Sequence, residues 1–238
     1  MDIKSVVFDI GGTLVNYNAP LSWKSMHPDA LRKVMMDCEI DGCESNSKID
    51  LGVSILSKYN TRENYREHEV SSDAIFNEIF DAWGLGRNSD KLPVAKKAFY
   101  NFFQYNAKYF CDAAGTLEAL SAKGISIGFL TDVAYGMDNI YSLKDIAEIR
   151  KYFNFGFTSI DVGYRKPHPR GYQMLLAASG VACPSQMVYV GDEEKDVLGA
   201  NNVGIVSVLI NRENAEKNWG QKHTIMNLSD IVSLAQIS

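Results

Sequence analysis

The sequence predicts an α/β fold: an open, doubly wound parallel sheet into which an α-helical domain is inserted. Three observations predict it. Short apolar runs rich in β-branched residues recur along the chain, helical patterns separate them, and one long helical stretch follows the first run. An alternation of strands and helices is typical of a parallel sheet with helices on both of its faces.

Four apolar runs have the length of buried strands, namely residues 3–8, 125–130, 187–190 and 204–210. Strands that are covered on both faces read as continuous hydrophobic stretches. Residues 153–159 are a weaker candidate for a fifth strand. Helical spacing, with Gly124 and Gly180 as helix stops, predicts three intervening helices: residues 116–122, 169–179 and 195–202.

Residues 17–108 contain no convincing buried strand, and their apolar residues fall at helical spacing. We interpret them as a helical domain inserted into a core of residues 1–16 and 109–238. Two apolar stripes mark the domain's own core: Ile75, Phe76, Ile79, Phe80 and Trp83 in the first, and Phe99, Tyr100, Phe102, Phe103, Tyr105 and Tyr109 in the second.

Composition and charge argue for a soluble cytoplasmic protein. A formal charge of −5 without a basic run argues against nucleic acid or an anionic membrane as partner. Asp9 interrupts the first apolar run too early for a signal peptide, and no run is long enough to span a membrane. Four cysteines without a CxxC pair suggest reduced thiols: Cys38, Cys43, Cys111 and Cys183. The oligomeric state is left open.

Polar residues stand directly after three of the predicted strands: Asp9, Thr131 and Asp192. In open α/β sheets, ligands bind outside the carboxyl ends of the strands, where the strand order reverses. Two acids and a hydroxyl, each following its own apolar run, therefore predict one shared site.

The residues around these positions support such a site. Gly11 and Gly12 follow Asp9 and allow a tight turn with close backbone approach to a ligand. Asp192 and Asp196 are one helical turn apart, and clustered carboxylates suit Mg²⁺. Two prolines follow Lys166, at positions 167 and 169, and hold it in a rigid loop that leads into the next helix.

Taken in order, these segments resemble the four motifs of the haloacid dehalogenase-like (HAD) superfamily. Residues 115–120 and 199–204 resemble family segments as well, so the resemblance covers the whole predicted core. It implies a Rossmann-like core with a helical cap, and a phosphatase that forms an aspartyl-phosphate. Asp9 would be the nucleophile, with Thr131 and Lys166 as further catalytic residues.

The same resemblance implies the cofactor and the binding residues. Mg²⁺ would be held by Asp9, Asp192 and the backbone carbonyl of Gly11, with Asp196 closing the site directly or through water. The substrate, a small phosphorylated metabolite, would contact four residues: Gly12, Thr131, Asp132 and Lys166.

The pattern breaks at Gly11, where family phosphatases usually carry a second aspartate that protonates the leaving group. Glycine keeps the carbonyl but deletes an acid/base that typically contributes about 10²–10⁴-fold. The sequence therefore predicts a slow phosphatase, or one limited to good leaving groups.

Three accounts of this break remain open. In the first, a cap residue or the substrate supplies the proton, and the candidates in the helical domain are His27, Glu63, Glu67 and His68. In the second, the chain hydrolyses a carbon–X bond, as a phosphonate hydrolase does with a cap lysine, for which the candidates are Lys24, Lys33 and Lys48. The third account is a non-enzymatic ligand-binding or regulatory protein. Dehalogenases usually carry tyrosine where Gly11 stands, which disfavours that activity.

Overall fold

The computed structural model describes residues 2–17, 23–42, 46–87, 90–104 and 107–234. They form two compact units. The core unit comprises Met1–Tyr17, Lys108–Asp132 and Ile146–Ser238, and the helical unit comprises Asn18–Ala107 and Val133–Asp145.

Residues 133–145 group with the helical unit, although the sequence analysis assigned them to the core range. Polar contacts explain the grouping. Asp138 accepts a hydrogen bond from the Ser72 hydroxyl at 2.8 Å and pairs with Lys96 at 2.9 Å. The pattern of apolar residues could not predict these contacts, because they join polar residues far apart in the chain.

Eight strands are present among the described residues: β1 Ser5–Phe8, β2 Val15–Tyr17, β3 Ala107–Tyr109, β4 Ser126–Thr131, β5 Phe155–Thr158, β6 Met187–Gly191, β7 Val206–Ile210 and β8 His223–Ile225. Six form a sheet in the order β5-β4-β1-β6-β7-β8, and its neighbouring strands are all parallel. The chain first adds β4 and β5 on one side of β1 and then adds β6, β7 and β8 on its other side. This order confirms the predicted doubly wound topology. β2 and β3 form a separate two-stranded sheet.

Ten α-helices lie within the described ranges: α1 Trp23–Asp37, α2 Asn46–Tyr59, α3 Ser72–Ala82, α4 Leu92–Gln104, α5 Ala113–Ala122, α6 Asn139–Ser142, α7 Ser159–Val162, α8 Pro169–Ser179, α9 Glu194–Asn202 and α10 Asp230–Leu234. Of the longer core helices, α8 has the predicted bounds, because Pro169 begins it and Gly180 ends it with φ 70°. β1 is fully buried in the middle of the sheet, so helices cover both of its faces.

The helical unit has an aromatic core. All five residues of the first predicted stripe are buried, and so are Phe99, Tyr100 and Phe103 of the second. Phe102 is half-buried, Tyr109 belongs to the core unit, and Tyr105 lies outside the described residues.

No helix in the described part of the chain is long and apolar enough to cross a membrane. Cys38, Cys111 and Cys183 are free thiols, and Cys43 lies outside the described residues. The cytoplasmic location and the excluded partners stay predictions.

Candidate active site

A tight turn follows β1 and carries Asp9 at its start. The Asp9 N–H donates to the Val190 carbonyl at 2.9 Å, which ties the end of β1 to β6. Within the turn, Leu14 N–H and Val15 N–H both donate to the Ile10 carbonyl. These bonds fix the backbone of Asp9 at the end of β1. The Asp9 side chain is only 8% exposed.

The two glycines of this turn differ in what they allow. Gly12 has φ +74°, and a Cβ there would stand 2.2 Å from Asp192 Oδ2, so both conformation and space require glycine. Gly11 is outside the left-handed region, and its Cβ would meet the Tyr17 ring at 3.4 Å, an ordinary contact. The fold therefore needs glycine at position 12 but accepts a side chain at position 11.

Asp192 follows β6 and faces the Asp9 turn. Its Oδ1 accepts from the Thr13 hydroxyl at 3.3 Å. Burial raises the pKa of Asp192 to about 7, and the Asp9 and Asp196 carboxylates add to this effect. Burial likewise raises the pKa of Asp9 to about 6, although Lys166 opposes the shift. Two carboxylates thus share a space that disfavours their negative charge.

Lys166 brings a cation into this space. Its Nζ lies 2.9 Å from Asp9 Oδ1 and 2.6 Å from Asp196 Oδ1. Burial alone lowers the pKa of a lysine, but the Asp196 and Asp9 carboxylates raise the pKa of Lys166 well above its ordinary value. The ammonium is therefore charged, buried and directed at the predicted nucleophile.

Asp196 is fully engaged at the start of α9. Its Oδ2 accepts from the Glu193 N–H at 3.0 Å, as half of a capping box. Its Oδ1 accepts from Lys166 Nζ. These contacts make Asp196 an anchor for the lysine, and its predicted part in metal binding stays a prediction.

Asp132 is held by basic residues. Its Oδ1 accepts from the Lys166 N–H at 3.0 Å, while Oδ2 lies 3.1 Å from Lys195 Nζ and 3.7 Å from Arg165. The carboxylate thus fixes the loop that carries Lys166. Substrate contact by Asp132 stays a prediction, as it does for Gly12, whose N–H donates to the Val15 carbonyl.

Thr131 is the last residue of β4, paired with Thr158 of β5. Because Phe129 pairs with Phe8, the end of β4 stands beside the Asp9 turn. Asp9, Thr131, Lys166 and Asp192 therefore all lie at the carboxyl edge of one sheet.

Three carboxylates at this edge could hold a metal ion. Ligand atoms of Asp9, Asp192 and Asp196 lie within 4.8 Å of one another. Asp9 Oδ1 is buried and lacks a well-directed hydrogen bond among the described residues. A hard divalent cation would relieve the repulsion that raises the pKa values of Asp9 and Asp192, so the donor set fits such an ion.

A network behind the turn was missed by the sequence analysis. The Arg212 guanidinium forks onto Asp112 at 2.9 and 3.0 Å and donates to the Thr13 carbonyl at 3.0 Å. It also lies 3.8 Å above the Phe110 ring. Nothing in the sequence pairs residues about a hundred positions apart. Two further residues were missed as well: Tyr189, whose hydroxyl contacts Lys166 Nζ, and Lys195, which pairs with Asp132. Lys195 lies inside the Asp192–Asp196 motif, and that position was a usable signal.

Several candidates for the missing acid, and the candidates for the lysine of a carbon–X hydrolase, have neighbours within the helical unit. His27 is fully buried among aromatic rings, and burial lowers its pKa to about 4. Glu63 pairs with Lys24 at 2.6 Å. Lys33 pairs with Asp37, and Lys48 donates to the Asp41 carbonyl. These contacts favour structural roles for His27 and the three lysines.

Comparison with known proteins gives a family match and several relatives. A family model described as haloacid dehalogenase-like hydrolase matches residues 3–204. Phosphoglycolate phosphatase from Escherichia coli K12 is 31% identical over 123 residues, which are 50% of this chain and 48% of the relative. The corresponding enzyme from Salmonella choleraesuis is 32% identical over 124 residues. The chain therefore spans about half the length of the curated relatives it matches.

Solved structures with the same fold cover nearly the whole chain. A HAD phosphatase from Thermococcus onnurineus has a TM-score of 0.67 at 24% identity and covers 98% of both chains. A 2-haloacid dehalogenase from Pseudomonas syringae has a TM-score of 0.68 at 24% identity, covering 99% of this chain and 100% of its own. Because these two proteins carry different activities in their names, the shared fold does not choose between them.

Proposed function

The chain belongs to the haloacid dehalogenase-like hydrolase family, and from this premise we propose that it is a magnesium-dependent phosphohydrolase acting on a small phosphorylated metabolite. The observation that carries the proposal is the buried contact of Lys166 Nζ with Asp9 Oδ1 at 2.9 Å. A nucleophilic carboxylate beside a fixed cation is the arrangement that phosphoryl transfer through an aspartyl-phosphate needs.

Asp9 acts as the nucleophile. One carboxylate oxygen attacks phosphorus, the bond from phosphorus to the leaving oxygen breaks, and an acyl phosphate forms on Asp9. Water then attacks that phosphorus and restores the carboxylate, releasing phosphate. With a pKa of about 6, Asp9 is mostly ionised at neutral pH and ready to attack.

Lys166 and Thr131 stabilise the transferred group. The Lys166 ammonium faces the oxygens of the phosphoryl group as charge moves onto the leaving oxygen, and the Thr131 hydroxyl donates to another of them. Fixed donors in a buried space cost no reorganisation during the reaction, which makes them effective.

Asp9, Asp192 and the Gly11 carbonyl would hold Mg²⁺, with Asp196 behind them. When bound, the ion supplies positive charge that lets an anionic nucleophile approach an anionic phosphate. The raised pKa values of Asp9 and Asp192, caused by burial and by neighbouring carboxylates, support this assignment, because a bound cation would favour the ionised form of both groups.

Gly11 sets the character of the reaction. The leaving oxygen gets no carboxylic proton at the usual place, so the rate depends on how basic that oxygen is. The enzyme is therefore slow or favours good leaving groups such as aryl and acyl phosphates. The phosphoglycolate phosphatases it resembles make phosphoglycolate a further substrate for testing.

A screen of phosphorylated compounds with and without Mg²⁺ tests the proposal. The wild type should hydrolyse an aryl phosphate and acetyl phosphate only with the metal. Asp192→Asn should lower that turnover by at least about 100-fold, since a catalytic metal is worth several kcal/mol. Asp50→Asn, which changes an exposed aspartate of the helical unit, is the control. No turnover of any compound under either condition would favour the non-enzymatic account, and unchanged Mg²⁺ dependence in Asp192→Asn would reject this metal site.

A further inference from the structure

Tyr189 lies in the middle of β6 and is almost fully buried, yet its hydroxyl stands at a junction of polar groups. The oxygen lies 2.9 Å from the Leu130 carbonyl, 3.3 Å from Lys166 Nζ and 3.4 Å from Asp196 Oδ1. Leu130 directly precedes Thr131. One hydroxyl thus touches the strand, the loop and the helix that carry the predicted site residues.

The direction of each hydrogen bond follows from the supply of protons. A phenol has one proton and two lone pairs. The proton goes to the nearer acceptor, the Leu130 carbonyl, which turns a lone pair toward Lys166. The hydroxyl therefore accepts from the ammonium, and the longer contact with Asp196 is not a second donated bond.

This arrangement uses two of the three N–H donors of the Lys166 ammonium. One goes to Asp196 Oδ1 at 2.6 Å and one to the Tyr189 hydroxyl at 3.3 Å. The third remains available, and Asp9 Oδ1 lies 2.9 Å from Nζ as an ion pair without a well-directed hydrogen bond. A single hydrogen bond leaves the flexible four-carbon stem of a lysine free to pivot about that contact, whereas a second bond fixes where Nζ lies.

We propose that Tyr189 is a positioning residue, which holds the Lys166 ammonium beside Asp9 and leaves its third N–H for the phosphoryl group transferred to Asp9. The inference rests on the proposed function and deepens it. Asp196 supplies the counter-charge, and Tyr189 supplies direction. If Asp196 alone held the Lys166 ammonium, the charge would remain but the position of Nζ would no longer be fixed.

Tyr172 provides a matched control. It is also buried in the core unit, its ring lies 5.1 Å from that of Tyr189, and its hydroxyl donates to the Lys195 carbonyl at 3.1 Å. That hydroxyl bonds backbone rather than the Lys166 ammonium. Tyr172→Phe and Tyr189→Phe thus each remove one buried hydroxyl from a backbone carbonyl and leave the ring in place.

Kinetics of the two variants separate positioning from stability. Both should melt about 2–8 °C below the wild type. Tyr189→Phe should lower kcat for an aryl phosphate by about 10- to 100-fold with KM little changed, because a misaimed group costs the transition state more than the ground state. Tyr172→Phe should keep a near-wild-type kcat. Equal kcat losses in the two variants would overturn the proposal.

A second readout does not depend on turnover. In protein labelled with ¹⁵N-lysine, the ammonium signal of Lys166, assigned with Lys166→Arg, should shift or broaden in Tyr189→Phe and stay in place in Tyr172→Phe. An unchanged signal in Tyr189→Phe would reject the positioning role. If the wild type hydrolysed no phosphate, the proposed function would fail while this comparison still decided the role of Tyr189.

Discussion

Gly11 lies two residues after Asp9, at the position where the family resemblance leads us to expect a second aspartate. Its backbone is outside the left-handed region, and an added Cβ would touch only the Tyr17 ring, at 3.4 Å and beyond. The conformation of the turn therefore accepts a side chain at position 11. This distinguishes Gly11 from Gly12, whose Cβ would collide with Asp192.

Gly11→Asp should restore acid catalysis without unfolding the protein. We expect turnover of alkyl phosphates to rise by on the order of 10–10³-fold, because an alkoxide leaving group needs a proton. Aryl phosphates leave as weaker bases and should gain much less. Steady-state rates on one alkyl and one aryl ester measure the difference.

Gly12→Asp is the matched control for this change. It introduces the same side chain one residue later, where φ is +74° and Asp192 occupies the space, so it should melt earlier and lose activity. A well-folded Gly11→Asp with no gain on any ester would contradict the role assigned to the missing acid.

The positions of individual candidate residues at the edge of the sheet could be predicted from the sequence where one strand ends in one polar residue. Asp9, Thr131 and Asp192 followed from this rule, and Lys166 from the family resemblance. The contacts of Asp132 and Tyr189 could not be predicted, because a buried tyrosine in a strand reads as core. Only the folded chain brings its hydroxyl to Lys166.

At the scale of elements, the nucleophile turn is anchored from behind. Arg212 follows β7 and binds both the Thr13 carbonyl and Asp112, whose Oδ2 also accepts from the Leu228 N–H. The turn is thereby connected to the start of α5 and to the segment that leads into α10. Because the Thr13 hydroxyl in turn donates to Asp192, loosening this anchor should disturb a proposed metal ligand.

Arg212→Gln should lower the melting temperature by about 3–10 °C and reduce kcat by about 10-fold, since a half-buried bidentate pair is broken. The melting temperature and the kcat of Arg212→Lys should lie between those of the wild type and those of Arg212→Gln, because a lysine cannot keep the bidentate contact. Thermal melts and aryl phosphate kinetics report both effects. Arg87→Gln, which removes an exposed pair with Asp81, is the control. A kcat equal to that of Arg87→Gln would show that the anchor does not serve the site.

Long elements with clear ends were predictable, and short ones were not. α8 was predicted to the residue because Pro169 and Gly180 mark its limits. The three-residue strands β2, β3 and β8 carry too few residues for a period to show. Residues 133–145 group with the helical unit because Asp138 contacts Ser72 and Lys96, which belong to other helices.

At the scale of the whole molecule, the buried carboxylates of the site connect stability to pH. The pKa values of Asp9 and Asp192 are about 6 and about 7, above the ordinary value of 3.8. A raised carboxyl pKa means that the folded state holds protons more tightly than the unfolded chain. The stability these protons give is fully present below pH 3.8 and is lost as pH rises through 6 to 7.

Magnesium should reverse this trend, because it binds the deprotonated carboxylates. The rise in melting temperature on adding Mg²⁺ should be small at pH 5 and reach several degrees at pH 8, corresponding to about 1–3 kcal/mol. Scanning calorimetry with and without the ion at each pH isolates the effect from other titrations. Asp192→Asn should abolish it. An equal rise at both pH values would contradict the coupling.

The central claim is that Asp9 takes up the phosphoryl group, and trapping that intermediate tests it most directly. The wild type is mixed with Mg²⁺ and an aryl phosphate, quenched within one turnover and treated with borohydride, which reduces an acyl phosphate to an alcohol. Peptide mass spectrometry should then find homoserine at position 9, and none when the substrate is left out or in Asp9→Asn. Turnover by the wild type with position 9 unmodified, or undiminished turnover by Asp9→Asn, would contradict the account.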